Sequence, residues 1–266
     1  VMTKEILSSI YDYTLDELKE RLKPSFRAKQ VYNWLYKKYA NSYDDMKNLP
    51  KELIEDLKTN YPIDILKVVK KEQSRDGSIK YLFKLRDNHT IEAVLLLMKD
   101  KKIDEDGQIV RSEKYTVCIS SQVGCKVGCS FCLTARGGFV RNLTVGEYIA
   151  QIVHIKRDNE IAENKALNIV YMGMGEPLDN FDNFVKAVEI FSELDGLAIS
   201  RRRQTVSTSG IASKIKKLGE KDLQIQLAIS LHAVDDELRS ELIPMNKAYN
   251  IASIIDAVKE FPVDTR

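Results

Sequence analysis

The chain has 266 residues, 44% of them hydrophobic and 30% charged, so it can bury a full core as one large globular domain or two ordinary ones. No apolar run approaches the roughly 20 residues of a membrane-spanning helix: the longest, Ala93 to Met98, is strand-sized and soon followed by Lys99, Asp100, Lys101 and Lys102. The acidic, polar stretch from Lys4 to Leu22 has no signal-peptide core, so the cytoplasm and reduced thiols are expected, while a formal charge of +2 excludes little until its distribution is read.

The first sixty residues read as helices. Thr14 and Glu17 form a capping box ahead of Leu15, Leu18 and Leu22, and Pro24 closes that segment. Ser25 is expected to cap a second helix carrying Val31, Trp34, Leu35 and Tyr39, and Pro50 opens a third with Leu53, Ile54 and Leu57 on one side. After Pro62 the period becomes alternating. Ile63 to Val69, Ile79 to Leu85 and Thr90 to Met98 read as strands, with turns at Arg75-Asp76-Gly77 and Asp87-Asn88-His89. The polar connector Lys99 to Lys114 marks a domain boundary, giving a helical accessory module at 1–60, a β-rich extension at 61–110 and a core at 111–266.

In the core, strand runs alternate with helical runs, the pattern of parallel βα units. The strands are Tyr115 to Ser120, Leu167 to Met172, Gln204 to Ser209 and Gln226 to His232; the helices are Val145 to Lys156, Phe181 to Leu194, Ile211 to Leu218 and Ile251 to Glu260. Each strand starts apolar and ends polar or small. Period-two alternation puts Cys118 with Ser120, Ser207 with Ser209 and Ser230 with His232. Sites in parallel α/β folds lie at the carboxyl ends of strands, so these pairs point to one place.

All four cysteines fall between Cys118 and Cys132, and three of them are set as C-x3-C-x2-C at Cys125, Cys129 and Cys132. Clustered thiolates select zinc or iron and sulfide over hard cations. Zinc requires Cys118 or one of His89, His154 and His232 as fourth ligand and commonly uses paired C-x2-C units, which are absent. Cys118 lies within a strand, so the spacing favours an iron-sulfur cluster with one iron left open.

The loop from Cys125 to Cys132 resembles the cluster signature of radical S-adenosylmethionine (SAM) enzymes. The string Ser120-Ser-Gln-Val-Gly-Cys125 to Cys132-Leu-Thr-Ala is similar to the RlmN and Cfr group of RNA adenine methyltransferases, RlmN type. So are Tyr171-Met-Gly-Met-Gly-Glu-Pro-Leu178, Ser207-Thr-Ser-Gly210, Ala228-Ile-Ser-Leu-His-Ala233, and Phe26-Arg-Ala-Lys-Gln30 with Trp34. The resemblance implies an α/β fold, a partial (βα)6-type radical SAM barrel preceded by a small helical accessory domain with a β-hairpin extension. It implies methylation of adenine C2 in 23S rRNA and in tRNA anticodon loops, through a 5'-deoxyadenosyl radical made from SAM at a 4Fe-4S cluster. An electron donor such as flavodoxin is implied as a further partner. Another radical SAM enzyme, or a zinc-stabilised RNA-binding protein, are the competing readings.

Residue by residue, the resemblance gives Cys125, Cys129 and Cys132 the cluster, and Gly175, Glu176, Ser207, Ser230, Leu231 and His232 the SAM. Glycines in the Gly173-Met-Gly-Glu-Pro177 segment let backbone approach a ligand, and Glu176 can accept from an ammonium or a ribose hydroxyl. Cys118 is implied to release product by forming a disulfide with a methyl-carrying cysteine, and Glu92 to accept a proton. No cysteine follows Cys132 and only four parallel strands are read, so the chain is expected to be truncated at its C terminus and unable to turn over.

For the nucleic acid, Lys19, Arg21, Lys23, Arg27, Lys29, Lys37 and Lys38 are opposed within their own segment by Glu20 alone and interleave with Phe26, Tyr32, Trp34 and Tyr36. That suits phosphate contact with base stacking, although Trp34 is expected in the core. Arg201-Arg-Arg203 and Lys214 to Lys217 offer further phosphate contacts near the active site.

Overall fold

The computed structural model describes residues 8–99, 102–104, 106, 108–163 and 165–262. Residues 1–7, Asp100, Lys101 and 263–266, on which parts of the sequence reading fall, lie outside the described residues.

The N-terminal module is helical as expected, and its first cap is the predicted one. Helix α1 (Leu15–Arg21) starts at Thr14, whose Oγ1 accepts from Glu17 N at 3.2 Å while Glu17 Oε2 accepts from Thr14 N at 2.8 Å. Helix α2 (Phe26–Tyr36) buries Ala28, Val31, Tyr32, Leu35 and Tyr36, and α3 (Lys51–Asn60) follows Pro50. Ser25 is not the expected cap: it has helical dihedrals and makes no side-chain cap bond. The module is seated on the core by a 3-10 turn at Ile10–Asp12, where Asp12 Oδ1 accepts from Gly146 N at 2.8 Å. That places a carboxylate on the N-terminus of α5 (Val145–Asp158), where helix amides favour negative charge.

Strands β1 (Leu66–Gln73), β2 (Ile79–Leu85) and β3 (Thr90–Lys99) form an antiparallel meander, β1 starting three residues later than its apolar run suggests. The connector is not wholly irregular, since Lys102–Ile103 (β4) pairs with Ile109–Arg111 (β5). Beyond it, β3 pairs antiparallel with β6 (Lys114–Cys118), so the expected boundary falls inside one hydrogen-bonded sheet. That sheet has the order β1-β2-β3-β6-β9-β10-β11, with β6, β9 (Leu167–Tyr171), β10 (Gln204–Thr208) and β11 (Gln226–Ile229) mutually parallel. It is a mixed α/β fold consistent with a partial radical SAM barrel. Two further strands, β7 (Gln122–Gly124) and β8 (Phe139–Asn142), form a hairpin that encloses a short helix, α4 (Leu133–Arg136).

Helices α5, α6 (Phe181–Ser192) and α7 (Ala212–Lys221) match the predicted crossovers within a few residues. Between β11 and α9 (Ile251–Lys259) stands α8 (Asp236–Leu242), capped by Asp235, whose Oδ1 accepts from Leu238 N at 2.8 Å. Helix α8 has no apolar stripe to be read because its buried member is Arg239. No helix among the described residues is long and apolar enough to cross a membrane.

Lys156 of α5 is buried in the seam with the N-terminal module, its Nζ 5.4 Å from the Tyr39 ring centroid. Burial pulls its pKa from 10.5 down to about 8, against a smaller pull from Glu163. Between those values the unfolded chain binds more protons, so this residue makes stability rise with pH from about 8 to 10.5 and withholds it below. A Lys156→Met chain is expected to be more stable at pH 7 by about 2 kcal/mol and to lose that rise. Urea unfolding at pH 7 and pH 10 checks both.

Candidate functional site

One cavity of about 240 Å³ opens at the carboxyl ends of β9, β10 and β11, where the graded strands pointed. Its lining includes Cys125, Cys129, Cys132, Gly175, Glu176, Ser207, Ser209, Ser230 and His232. Three half-buried thiols and the polar strand ends therefore share one space.

The thiols are presented by the β7–β8 hairpin. Cys125 N donates to Gly138 O at 3.0 Å, Cys132 N to Cys129 O at 3.1 Å, and Ser130 N to Leu242 O at 2.9 Å, three bonds that shape the loop through backbone alone. Gly124 has φ +75, and a Cβ there would run into Gly138 O, which is why the hairpin closes only on glycine. Burial pushes the Cys125 thiol up to about 11 and raises Cys129 as well, with neighbouring cysteines adding to the effect. Among the described residues no three metal-ligating side chains converge on a point that a single ion would occupy. Thiolates that each bind a different iron of a cluster stand farther apart than ligands of one ion, and an all-thiolate donor set suits iron and sulfide.

Glu176 organises the opposite wall. Its Oε2 accepts from Ser209 N and Ser209 Oγ, each at 2.8 Å, and its Oε1 accepts from Leu178 N at 3.1 Å. Burial raises its pKa despite these donors. The carboxylate is thus occupied chiefly within the protein, with lone pairs to spare for a ligand. Packing requires the two glycines before it. A Cβ at Gly173 would meet Ile119 O at 2.7 Å, and one at Gly175, where φ is +99, would meet the Gln122 Cβ at 2.5 Å. Fully buried Gln122, which sequence reasoning passed over, is the coupling: its Oε1 accepts from Glu176 N at 2.9 Å while its Nε2 donates to Asn142 and Asp179. Its place two residues before the first glycine of the cysteine loop was the available signal.

The hydroxyls of Ser207 and Ser230 are 3.0 Å apart across β10 and β11. His232 is past the strand rather than in it, at φ +61, its ring 4.8 Å from that of half-exposed Phe131 at the mouth. Leu231, Cys118 and Glu92 are not in the cavity lining. Cys118 pairs with Val94 across β3 and β6, so it shares a sheet face with Glu92, two residues along β3. Burial raises the Cys118 thiol, and the Glu92 carboxylate pairs with Lys80 at 2.8 Å.

Two charge readings need correction. Arg202 and Arg203 line a separate cavity with Lys114 and Asn168 at the amino ends of the strands, so this run is at the far end from the cysteines. In the N-terminal module, Lys19 pairs with Asp16 at 2.7 Å and Lys29 with Asp195 at 2.9 Å, while Tyr32 and Tyr36 are fully buried. Of the interleaved aromatic residues, Phe26 remains exposed, with the Arg27 guanidinium 4.7 Å from its ring, and Trp34 half-buried, with Lys38 Nζ at 3.8 Å, while Arg21 and Lys23 stay exposed.

Known proteins resemble this chain along both its N-terminal module and its core. The Radical SAM superfamily profile matches residues 119–262, and that of the ribosomal RNA large subunit methyltransferase N-terminal domain matches residues 10–63. The chain is 93% identical over 265 residues to the dual-specificity RNA methyltransferase RlmN of Aliarcobacter butzleri, covering 100% of this chain and 74% of that protein. It is 66% identical to the Wolinella succinogenes protein of the same name, covering 97% and 72%. A crystal structure of a radical SAM methyltransferase from Sphaerobacter thermophilus superposes with a TM-score of 0.85 at 43% identity, over 96% of this chain and 73% of that one.

Proposed function

Because this chain belongs to the RlmN family of radical SAM RNA methyltransferases, whose cofactors are SAM and a 4Fe-4S cluster, we propose that Cys125, Cys129 and Cys132 each hold one iron and leave the fourth to SAM. When bound, the reduced cluster and SAM together supply one-electron cleavage of the sulfonium, the reactivity needed at the inert C2 carbon of adenine. The protein's part is to bind and orient. The hairpin fixes three sulfurs by backbone bonds, and the raised thiol pKa values mean that cluster assembly releases protons and is favoured at higher pH. The Ser207, Ser230 and His232 strand ends and the Gly175-Glu176 turn hold SAM across the cavity from them, with Leu231 contributing backbone. Of Cys118 and Glu92, on one sheet face, Glu92 is assigned to proton uptake and Cys118 to product release, the latter with a methyl-carrying cysteine that residues 1–266 do not hold.

The substrates we assign are 23S rRNA and the anticodon loops of tRNA, with the enzyme acting in the cytoplasm and a flavodoxin-like protein as electron donor. Phe26 and Trp34, each with a cation at its ring, are the surface groups suited to stacking and phosphate contact. Reaching C2 requires the adenine to leave its stack.

The observation that carries this reading is the meeting of three cysteines with the Glu176, Ser207 and Ser230 strand ends in one cavity. It is tested by anaerobic reconstitution followed by SAM and a low-potential reductant, with 5'-deoxyadenosine measured by mass spectrometry, and by filter binding of a tRNA anticodon stem-loop. Formation of 5'-deoxyadenosine and salt-sensitive RNA binding are expected. A protein loaded with zinc and lacking both activities refutes the reading.

A further inference from the structure

Arg239 is fully buried, yet its three hydrogen bonds go to neutral oxygens: Nε to Leu231 O at 3.1 Å, Nη1 to Asn246 Oδ1 at 2.6 Å, and Nη2 to Ser209 O. A buried cation held by neutral groups is a poor source of stability compared with an apolar side chain, so packing alone gives no reason for it. Its partners give one. Ser209 is the residue whose N and Oγ hold Glu176, and Leu231 lies between Ser230 and His232, so one planar guanidinium ties the end of β10 to the exit of β11. Asn246 is held in turn by Asp236, accepting at Oδ1 from Nδ2 at 2.9 Å, and by Ser240 Oγ at 3.0 Å. The same short helix reaches the cysteine loop through Leu242 O, which accepts from Ser130 N. The segment from Asp236 to Asn246 thus touches the β10 end, the β11 exit and the cysteine loop, while of its residues Ile243 lines the space.

We propose that Arg239 is a positioning residue for the SAM site, its fork fixing the spacing between the Ser207-Ser209 and Ser230-His232 strand ends. The inference rests on the cofactor reading given above. Lysine carries the charge but not the fork, and so cannot hold the Leu231, Ser209 and Asn246 oxygens together.

The test compares the reconstituted parent with Arg239→Lys, Arg239→Gln and Asn246→Ala, measuring SAM affinity by equilibrium dialysis, iron content, and the electron paramagnetic resonance spectrum of the reduced cluster without and with SAM. Both Arg239 variants are expected to keep their iron and SAM-free spectrum while binding SAM about 30-fold more weakly, and Asn246→Ala about fivefold more weakly. Arg239→Lys at parental affinity would overturn the proposal by showing that charge alone suffices. If the Arg239 variants do not fold, Asn246→Ala decides, and parental affinity there overturns it equally. A parent protein that binds no SAM instead removes the cofactor reading itself.

Discussion

A chain with alanine at Cys125, Cys129 and Cys132 is expected to fold and to hold no cluster. The folding half follows from the loop's construction: the bonds from Cys125 N to Gly138 O, from Cys132 N to Cys129 O and from Ser130 N to Leu242 O all use backbone and survive the substitution. Each sulfur is only half-buried, so truncation removes little packing, about 1 kcal/mol per site. The chemical half follows from the donor set, because alanine offers iron nothing and each remaining position is then ligand-free. After anaerobic reconstitution the parent is expected to carry about four irons per chain and a brown absorption, the variant none of either. Formation of 5'-deoxyadenosine should fall below detection. Circular dichroism near that of the parent separates loss of cluster from loss of fold, and a variant that stayed brown would place the cluster elsewhere.

Gly175→Ala is expected to be nearly as damaging, although it adds one methyl group. Gly175 sits at φ +99, a conformation L residues rarely adopt, and the new Cβ would stand 2.5 Å from Gln122 Cβ and 2.7 Å from Gln122 N. Gln122 cannot yield, since it is fully buried and its amide is spent on Glu176 N, Asn142 and Asp179. The turn must therefore lift, taking Glu176 away from Ser209 and Leu178. A stability loss of about 3 kcal/mol and a SAM affinity lowered about 100-fold are expected. Gly137→Ala is the control: its φ is ordinary and the nearest atom to its Cβ is Thr134 O at 3.5 Å, so it should change neither quantity. Urea unfolding and equilibrium dialysis read both, and equal effects at the two glycines would mean that the Gln122 contact is not what matters.

What could be read in the sequence was whatever local chemistry determines. The Thr14-Glu17 box, the alternating strands and the polar strand ends are short-range signals, and the cysteine spacing announced its loop before any fold was known. Contacts made across the chain were hidden. The basic run from Lys19 to Lys38 looked unopposed because the partner of Lys29, Asp195, is far along the sequence. Arg201 to Arg203 looked close to the chemistry until the direction of β10 put them at its start. Helix α8 escaped notice because a cation occupies the place where helical periodicity looks for an apolar side chain. Gln122 carried no signal of burial, since only the folded hairpin gives its amide three polar partners.

The proposed site has three cysteines that leave one iron of the cluster free to be met by SAM. It is tested most directly by pulsed electron-nuclear double resonance on the reduced, reconstituted protein with SAM labelled by nitrogen-15 at the amino group and oxygen-17 at the carboxylate. Strong hyperfine coupling from both labels, absent in the triple alanine chain, is the expected result. A full cluster with bound SAM and no coupling from either label would contradict it.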